Sequence, residues 1–193
     1  MNADHDHPHG HAHGSGPVAD ASVRLARPAD APAVGVVQAA VWVQTYGALL
    51  PPEALGDLQP PAFARVWRES LEHPPSARHR LLVACAGEQV VGMAAVGPGE
   101  DPDAGSDDAE LLVLGVHPGA REQGHGSRLV NAAVDTARGA GATVLRAWIP
   151  DPAVAVRRFL TAAGLEPDGA FRDRVIGPSD TDVLRELRLS SAI

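Results

Sequence analysis

Short apolar runs alternate along this chain with longer segments in which apolar residues recur every three or four positions. Runs of four to eight residues predict buried strands, and the longer spacing predicts helices with one apolar face. The predicted strands are Ser22–Arg27, Leu81–Ala86, Val90–Val96, Leu111–Leu114, Thr143–Ile149, Phe171–Ile176 and Val183–Leu189. Four helices are predicted, and the apolar residues of their faces lie within Val34–Trp42, Phe63–Leu71, Leu129–Ala137 and Val156–Ala163.

The order of these elements is β-α-α-β-β-β-α-β-α-β-β, which describes a mixed α/β domain around one sheet. The segment Pro98–Asp108, between the third and fourth strands, carries five carboxylates together with glycines and prolines. We interpret this acidic loop as a mobile connection. It could also attract a cationic substrate if it borders a binding cleft.

A chain of 193 residues is long enough for one domain with an ordinary core. Residues 1–17 lack large apolar side chains, so we expect a disordered tail followed by a single domain over residues 18–193. Five histidines alternate with other residues in this tail, at His5, His7, His9, His11 and His13. Neutral imidazoles bind zinc, nickel or copper, so loose metal capture is one interpretation. A solvated tail is the other, and we prefer it.

The formal net charge of −8 disfavours attraction to nucleic acid or to an anionic membrane, and it slightly favours a cationic amine. The longest apolar stretch, around Ala31–Val43, is too short to span a bilayer. The histidine-rich, acidic N-terminus is unlike a signal peptide. We therefore expect a cytoplasmic protein. The single cysteine, Cys85, falls in an apolar run and is expected to be a buried core residue.

The strongest chemical signal lies between Leu111 and Ala140. A buried strand leads through Val116-His117-Pro118-Gly119 into a loop with two glycines, Arg121-Glu122-Gln123-Gly124-His125-Gly126, and a helix is predicted from Ser127. Glycines let a backbone approach a phosphate closely, and the first amides of a helix have no partner within it. We therefore expect a pyrophosphate to bind at this turn.

Two familiar phosphate loops do not fit this segment. A dinucleotide-binding fingerprint needs a small residue where this chain has a leucine, and a P-loop needs a Gly-Lys-Ser/Thr triplet that the sequence lacks. What remains is the pattern Val-x-Pro-x-x-Arg-x-x-Gly-x-Gly, formed by Val116, Pro118, Arg121, Gly124 and Gly126. This pattern resembles the acyl-CoA-binding motif of the GNAT superfamily of N-acyltransferases.

The resemblance extends over about residues 22–190 and implies an α/β (α+β) fold, with a mixed, mostly antiparallel central sheet flanked by helices. It implies transfer of an acetyl group from acetyl-CoA, the co-substrate, to an amine by direct attack, with no metal required. The backbone of Leu114 and Val116 would pair with the pantetheine arm. The residues that would bind the pyrophosphate are Arg121, Gln123, Gly124, His125, Gly126 and Ser127. For Arg121, a structural role at the turn is an equal alternative.

Direct attack on a thioester needs a neutral amine, and Glu110, directly before the strand, is the candidate general base. Strand alternation places it on one face with Leu112, Leu114 and Val116. The resemblance implies a base at this place in the pattern Glu-x-x-x-Leu-x-Val-x-Pro, often acting through ordered water. A solvated carboxylate at the end of the acidic loop is an equal alternative.

The resemblance also implies a tyrosine as general acid, directly after a phenylalanine in the last helix, but Leu160 follows Phe159 there. Tyr46, the only tyrosine, could donate the proton instead, and so could water. Trp42 and Tyr46 could both line the substrate cleft. For Trp42 we prefer core packing, and for Tyr46 both roles stay open.

The favoured interpretation is an acetyl-CoA-dependent N-acetyltransferase. The alternative, suggested by the missing tyrosine, is a regulatory or sensor protein that binds CoA or acyl-CoA with little turnover. The acceptor stays open among small-molecule and peptide amines, and a homodimer is one open assembly state. Nucleic acid and membrane partners are not expected.

Overall fold

The computed structural model describes residues 21–48, 50, 56, 58–176 and 180–193. Within these residues, seven strands form one sheet: β1 (Ala21–Leu25), β2 (Arg80–Ala86), β3 (Gln89–Pro98), β4 (Asp108–Val116), β5 (Val144–Pro150), β6 (Glu166–Val175) and β7 (Val183–Ala192). The helices that accompany it are α1 (Ala31–Tyr46), α2 (Pro60–Glu72), α3 (His125–Gly139) and α4 (Val154–Ala162). The predicted element order and the mixed α/β class are confirmed. The tail predicted over residues 1–17 lies outside the described residues.

The strands follow the order β1-β2-β3-β4-β5-β7-β6 across the sheet. Every neighbouring pair is antiparallel except β4 and β5, which run parallel. These two strands pair only from Asp108↔Val144 to Glu110↔Arg146. Beyond Glu110 they separate, so among the described residues the segment 111–116 of β4 has a strand partner only on its β3 side. The sheet therefore opens in its middle.

A β-bulge interrupts β4 at Leu112. Leu111 pairs with Val96 and Val113 pairs with Ala95, so Leu112 has no partner across the ladder to β3. A bulge of this kind inserts one extra residue into a strand and shifts the faces of the residues that follow. It lies two residues beyond Glu110, at the point where the sheet opens.

The bulge makes one expectation from simple alternation wrong. Leu114 and Val116 pack with the cluster under α3 and α4, whereas Val113 packs with the cluster under α1 and α2. Leu111 packs with the cluster under α3 and α4, and Glu110 directly precedes it. Alternation therefore places the Glu110 side chain on the opposite face, toward α1. Glu110 and the pair Leu114 and Val116 therefore lie on opposite faces of β4.

Two layers of helices cover the sheet. The cluster on the face of α1 and α2 contains Val34, Val37, Val41, Leu81, Val83, Cys85 and Met93, with Trp67 and Leu71 packed against it. The cluster on the face of α3 and α4 contains Leu129, Val130, Ala133, Leu145, Ile149, Leu160 and Leu189. Because β2 and β3 are covered on both faces, they read as continuous apolar runs in the sequence. Cys85 is buried, as predicted.

Two element boundaries differ from the predicted ones. β6 begins at Glu166 rather than Phe171, because it is the edge strand and its first residues are exposed and carry no apolar pattern. α3 begins at His125 rather than Ser127, because Gly124 caps it in the left-handed conformation. None of the described helices is long and apolar enough to cross a membrane.

Candidate active site

The separated strands β4 and β5 border a cleft of about 350 Å³. The charged residues that line it are Glu110, Arg172, Arg174 and Glu186. Its apolar and aromatic lining includes Trp42, Leu114, Trp148, Val156, Leu160 and Leu184. The cleft therefore holds one carboxylate where the strands part and a group of charged side chains on the β6–β7 wall.

Glu110 is the last residue of β4 that pairs with both neighbouring strands, opposite Gly97 on β3 and Arg146 on β5. Its side chain is partly buried, and its carboxylate makes no hydrogen bond or ion pair within the part of the chain that the structure describes. Burial raises the pKa of the Glu110 carboxyl, the charge of Asp101 raises it further, and Arg172 partly opposes both effects. A carboxylate with a raised pKa is a stronger proton acceptor than an exposed one.

The turn expected to bind a pyrophosphate presents free amides. Gly124 has a φ of 80° and precedes the first residue of α3, and Glu122 also has a positive φ, of 63°. The first bond of the helix runs from the Arg128 N–H to the Gly124 carbonyl, at 3.1 Å. No described group accepts a hydrogen bond from the amides of residues 123–127. Such amides bind phosphate at helix N-termini.

Gly126 lies where the start of α3 packs against α4. A Cβ atom at this position would lie 3.1 Å from Phe159 Cζ, so Phe159 would have to shift, whereas Val116 Cγ2, at 3.8 Å, would be in ordinary contact. Arg128, which the sequence reasoning did not single out, donates from Nη1 to the Gln123 carbonyl at 3.1 Å. Arg128 could have been predicted as part of this site from its position in the first turn of the predicted helix. Arg128 brings a positive charge to the turn.

Of three other polar residues of this region, Arg121 and His117 make hydrogen bonds to the backbone and His125 is buried. Arg121 donates from Nε to the Val116 carbonyl at 3.3 Å, which agrees with the structural alternative for Arg121. His125 is 3% exposed, and burial, followed by the charge of Arg128, lowers the pKa of its imidazole. His117 accepts a hydrogen bond at Nδ1 from a backbone amide of the same turn, at 3.2 Å.

The described lining of the cleft offers no obvious general acid. Leu160, where the resemblance implies a tyrosine, is 2% exposed and packs in the core. None of the described lining residues carries a hydroxyl or a thiol. Trp42 lines the cleft and also packs on Phe63, with ring centroids 6.1 Å apart. It therefore combines a place in the cleft lining with core packing. Tyr46 is the last residue of α1, and its side chain lies outside the described part of the chain.

An ion-pair network that the sequence reasoning missed ties the acidic loop to the sheet. Arg188 is buried; its two Nη atoms lie 2.7 and 2.8 Å from the Asp103 carboxylate, and its Nε atom lies 2.7 Å from Asp168. The hydrogen bonds from Arg188 hold the pKa of Asp103 at about 2. Trp148 donates from Nε1 to Asp101 at 3.0 Å. The acidic loop is therefore held by ion pairs, contrary to the mobile connection predicted.

A model of the acetyltransferase (GNAT) family matches residues 42–165, which is more than half of the chain. The chain therefore belongs to the GNAT acetyltransferase family. It is an acetyl-CoA-dependent N-acetyltransferase, and enzymes of this family act on small-molecule or protein amines. A search of curated proteins found no significant sequence match.

Solved structures of acetyltransferases share the fold. PaiA N-acetyltransferase from Thermoplasma acidophilum, in complex with coenzyme A, is 15% identical with a TM-score of 0.65, covering 90% of this chain and 99% of that chain. YncA from Salmonella typhimurium, with its cofactor acetyl-CoA, is 21% identical with a TM-score of 0.66, covering 89% and 93%. Ribosomal-protein-alanine N-acetyltransferase from Brucella melitensis is 26% identical with a TM-score of 0.66, covering 89% and 99%.

Proposed function

We propose that this N-acetyltransferase binds acetyl-CoA along the open segment of β4 and transfers the acetyl group directly to an amine, with Glu110 as the general base. The observation that carries the proposal is the parting of β4 and β5 directly after Glu110. The open segment leads along the chain from this carboxylate to the free amides of residues 123–127. One continuous stretch thus joins a proton acceptor to an anion-binding turn.

The residues present fit a co-substrate that carries phosphates. The amides of residues 123–127 would donate hydrogen bonds to the diphosphate, and Arg121 and Arg128 add positive charge near them. Leu114 and Val116 lie on the segment of β4 that has a free edge. Their backbone groups would pair with the amides of the pantetheine arm as an added strand pairs with a sheet.

Glu110 would take a proton from the attacking amine, directly or through water. An alkyl amine has a pKa of about 10.4, so reaching its neutral form at pH 7 costs about 4–5 kcal/mol. A base near the amine lowers this cost, and the raised pKa of Glu110 suits the task. The amine nitrogen forms a bond to the acetyl carbonyl carbon while the carbon–sulfur bond breaks, and the sulfur leaves as a thiolate.

The leaving thiolate needs little protonation, since the pKa of a thiol is about 8.5. Leu160 has no proton to donate, so we propose Tyr46 or water as the source of the proton that the thiolate finally takes. Trp42, which lines the cleft from α1, would contact the acceptor.

A CoA-binding regulatory or sensor protein with little turnover is the second candidate function. The observation that favours it is the buried leucine at the position of the general acid. Both functions require binding of CoA, but only the enzyme releases free thiol when an amine is added. The acceptor amine therefore separates them.

Two measurements test the proposal. Calorimetry with CoA and with acetyl-CoA tests the binding turn, and thiol release with a panel of amines tests turnover; the panel holds small amines, lysine peptides and peptides with free N-termini. We expect both ligands to bind and at least one amine class to release thiol. No association of either ligand would end the proposal, and tight binding with no thiol release would favour the sensor.

Two further predictions accompany the proposed function, a cytoplasmic location and a separate tail over residues 1–17, and the assembly state stays open with a homodimer as one candidate. Light scattering gives the mass of the assembly, and fractionation of cells gives the location. Nickel or zinc titration of the full chain and of residues 18–193 tests the tail. Full metal binding by the shorter chain would rule out metal capture by the tail.

A further inference from the structure

Two arginines reach the cleft from the edge strand of the sheet. Arg172 and Arg174 are two residues apart on β6, so their side chains lie on one face, and both line the cleft. Arg172 pairs across the ladder with Glu186 on β7, and Glu186 pairs with Pro150 on β5. The wall opposite β4 therefore presents cations to the space where the acceptor would lie.

The guanidinium of Arg172 is held in one orientation. Its Nε atom donates to Glu186 at 2.5 Å, and its Cζ atom lies 4.3 Å from the centroid of the Trp148 ring. Its Nη1 atom is 3.9 Å from Asp101, too far for a hydrogen bond. The two Nη groups donate no hydrogen bond to any described residue, although the side chain is only 33% exposed. Arg172 thus offers a fixed fork of unused donors.

Arg172 and Arg174 share one hydrogen-bonded carboxylate at this wall. Arg174 places its Nε atom 3.3 Å from the same Glu186 carboxylate and is 55% exposed. Two guanidinium groups therefore share the carboxylate of Glu186, and the next carboxylate, Asp101, lies 3.9 Å from Arg172 and also pairs with Arg188. Where the strands part, Glu110 contributes a carboxylate that makes no ion pair with a described residue, although the charge of Arg172 opposes the rise of its pKa. The cleft therefore presents a carboxylate at Glu110 and unused guanidinium donors at Arg172.

We propose that Arg172 and Arg174 form an anion subsite for the acceptor, so that the enzyme acetylates amines that also carry a carboxylate. This inference rests on the proposed function, because it takes the amine to lie at Glu110. A planar guanidinium with free Nη donors matches a carboxylate in a bidentate pair. Such an acceptor would place its amine at the Glu110 carboxylate and its own carboxylate on the free Nη donors of Arg172.

The topology also indicates how far apart the two groups of the acceptor are. The guanidinium of Arg172 lies over Trp148 of β5, the strand next to β4, and Trp148 is two residues beyond Arg146, the partner of Glu110. At about 4.8 Å between strands and about 3.3 Å per residue, this places the two groups about 8 Å apart. An α-amino acid carries its amine and carboxylate on one carbon and is too short to reach both side chains. We therefore expect ω-amino acids and short peptides to be better acceptors than glycine.

Matched acceptors test the subsite. We would measure thiol release from acetyl-CoA with 6-aminohexanoate and with its uncharged counterpart 6-aminohexanamide, together with glycine and glycinamide. In the wild-type protein kcat/KM for 6-aminohexanoate should exceed that for the amide at least tenfold, as expected for a charge-assisted bidentate pair. R172M and R174M should each reduce this ratio, R172M to near one, mainly through KM for the carboxylate.

R185M is the matched control, because Arg185 on β7 pairs with Asp173 and does not line the cleft. It should keep the wild-type ratio. Circular dichroism establishes that each variant is folded. If R172M does not fold, R174M serves as the test, because Arg174 is the more exposed of the two side chains. A wild-type ratio near one, or a wild-type ratio that survives in a folded R172M or R174M, would overturn the proposal.

A failure of the proposed function can be distinguished from a failure of the anion subsite. If no acceptor releases thiol, calorimetric titration of 6-aminohexanoate into the protein saturated with CoA replaces the kinetic assay. Binding that is weakened in R172M and unchanged in R185M would support the subsite even without turnover. No binding, or equal binding by all variants, would refute it.

Discussion

Replacing Glu110 with glutamine removes the proposed proton acceptor while keeping the size of the side chain. General-base catalysis contributes a factor of about 10²–10⁴ to a rate, and the amine it must deprotonate is about 4–5 kcal/mol from its neutral form at pH 7. We expect kcat of E110Q to fall by about two to three orders of magnitude. Affinity for CoA should stay unchanged, because the free amides of residues 123–127 are untouched.

The same substitution should stabilise the fold at neutral pH. Burial, and then the charge of Asp101, raise the pKa of Glu110, so the folded protein binds this proton more tightly than the unfolded chain does. The stability that the carboxyl contributes is present at low pH and is lost as the pH rises through the raised pKa. Each unit of displacement corresponds to about 1.4 kcal/mol. E110Q should therefore be more stable than wild type at pH 8, and the two should converge below pH 4.

Thiol release, calorimetry with CoA, and urea unfolding at pH 8 and pH 4 check these expectations. E88Q is the control, because Glu88 is exposed in the turn between β2 and β3 and should behave as wild type. Wild-type kcat in E110Q would refute the role as base. A lower free energy of unfolding for E110Q than for wild type at pH 8 would refute the reasoning from burial.

Three further predictions concern the turn, the ion-pair network and the acid. G124A adds a Cβ atom at a φ of 80°, which costs about 1–2 kcal/mol of stability. Urea unfolding should show this loss, and calorimetry should show a weaker affinity for CoA. Wild-type values in both measurements would contradict the prediction. R188M leaves several carboxylates without their shared cation and should lower the free energy of unfolding by about 3 kcal/mol. R185M removes an exposed ion pair and should leave the urea midpoint unchanged. Equal midpoints for the two variants would refute the stabilising role of the network. Y46F should lower kcat less than about tenfold, because a thiolate leaves without an acid, and a larger fall in stopped assays would assign Tyr46 the proton.

The order of elements and the glycine turn before α3 could be predicted because each depends on local sequence. Val34, Val37 and Val41 recur at helical spacing, and all three are buried on one face of α1. Gly124 and Gly126 interrupt an apolar strand and a helix, and the turn between these elements needs a residue with positive φ at Gly124. A backbone conformation of this kind leaves a direct trace in the residue type.

The opening of the sheet and the charges of the cleft could not be predicted because they depend on distant partners. Leu111, Leu112, Val113 and Leu114 form a uniform apolar run, and only the pairing with β3 decides which of them is the bulge. Arg188 contacts Asp103 across 85 residues of sequence. Alternation within β7 predicts that Arg188 shares a face with its second neighbours, but nothing local names the aspartates that it meets.

Under the proposed binding mode, the free edge of β4 would couple the stability of the folded protein to the binding of CoA or acetyl-CoA. Backbone groups of residues 111–116 on that edge have no strand partner in the described chain, so a molecule that pairs with them supplies bonds that the folded protein lacks alone. A ligand that binds only the folded state adds about 2.7 kcal/mol to its stability at a hundred times the dissociation constant. Under this proposal, the enzyme should resist proteolysis better when CoA or acetyl-CoA is present than when both are absent.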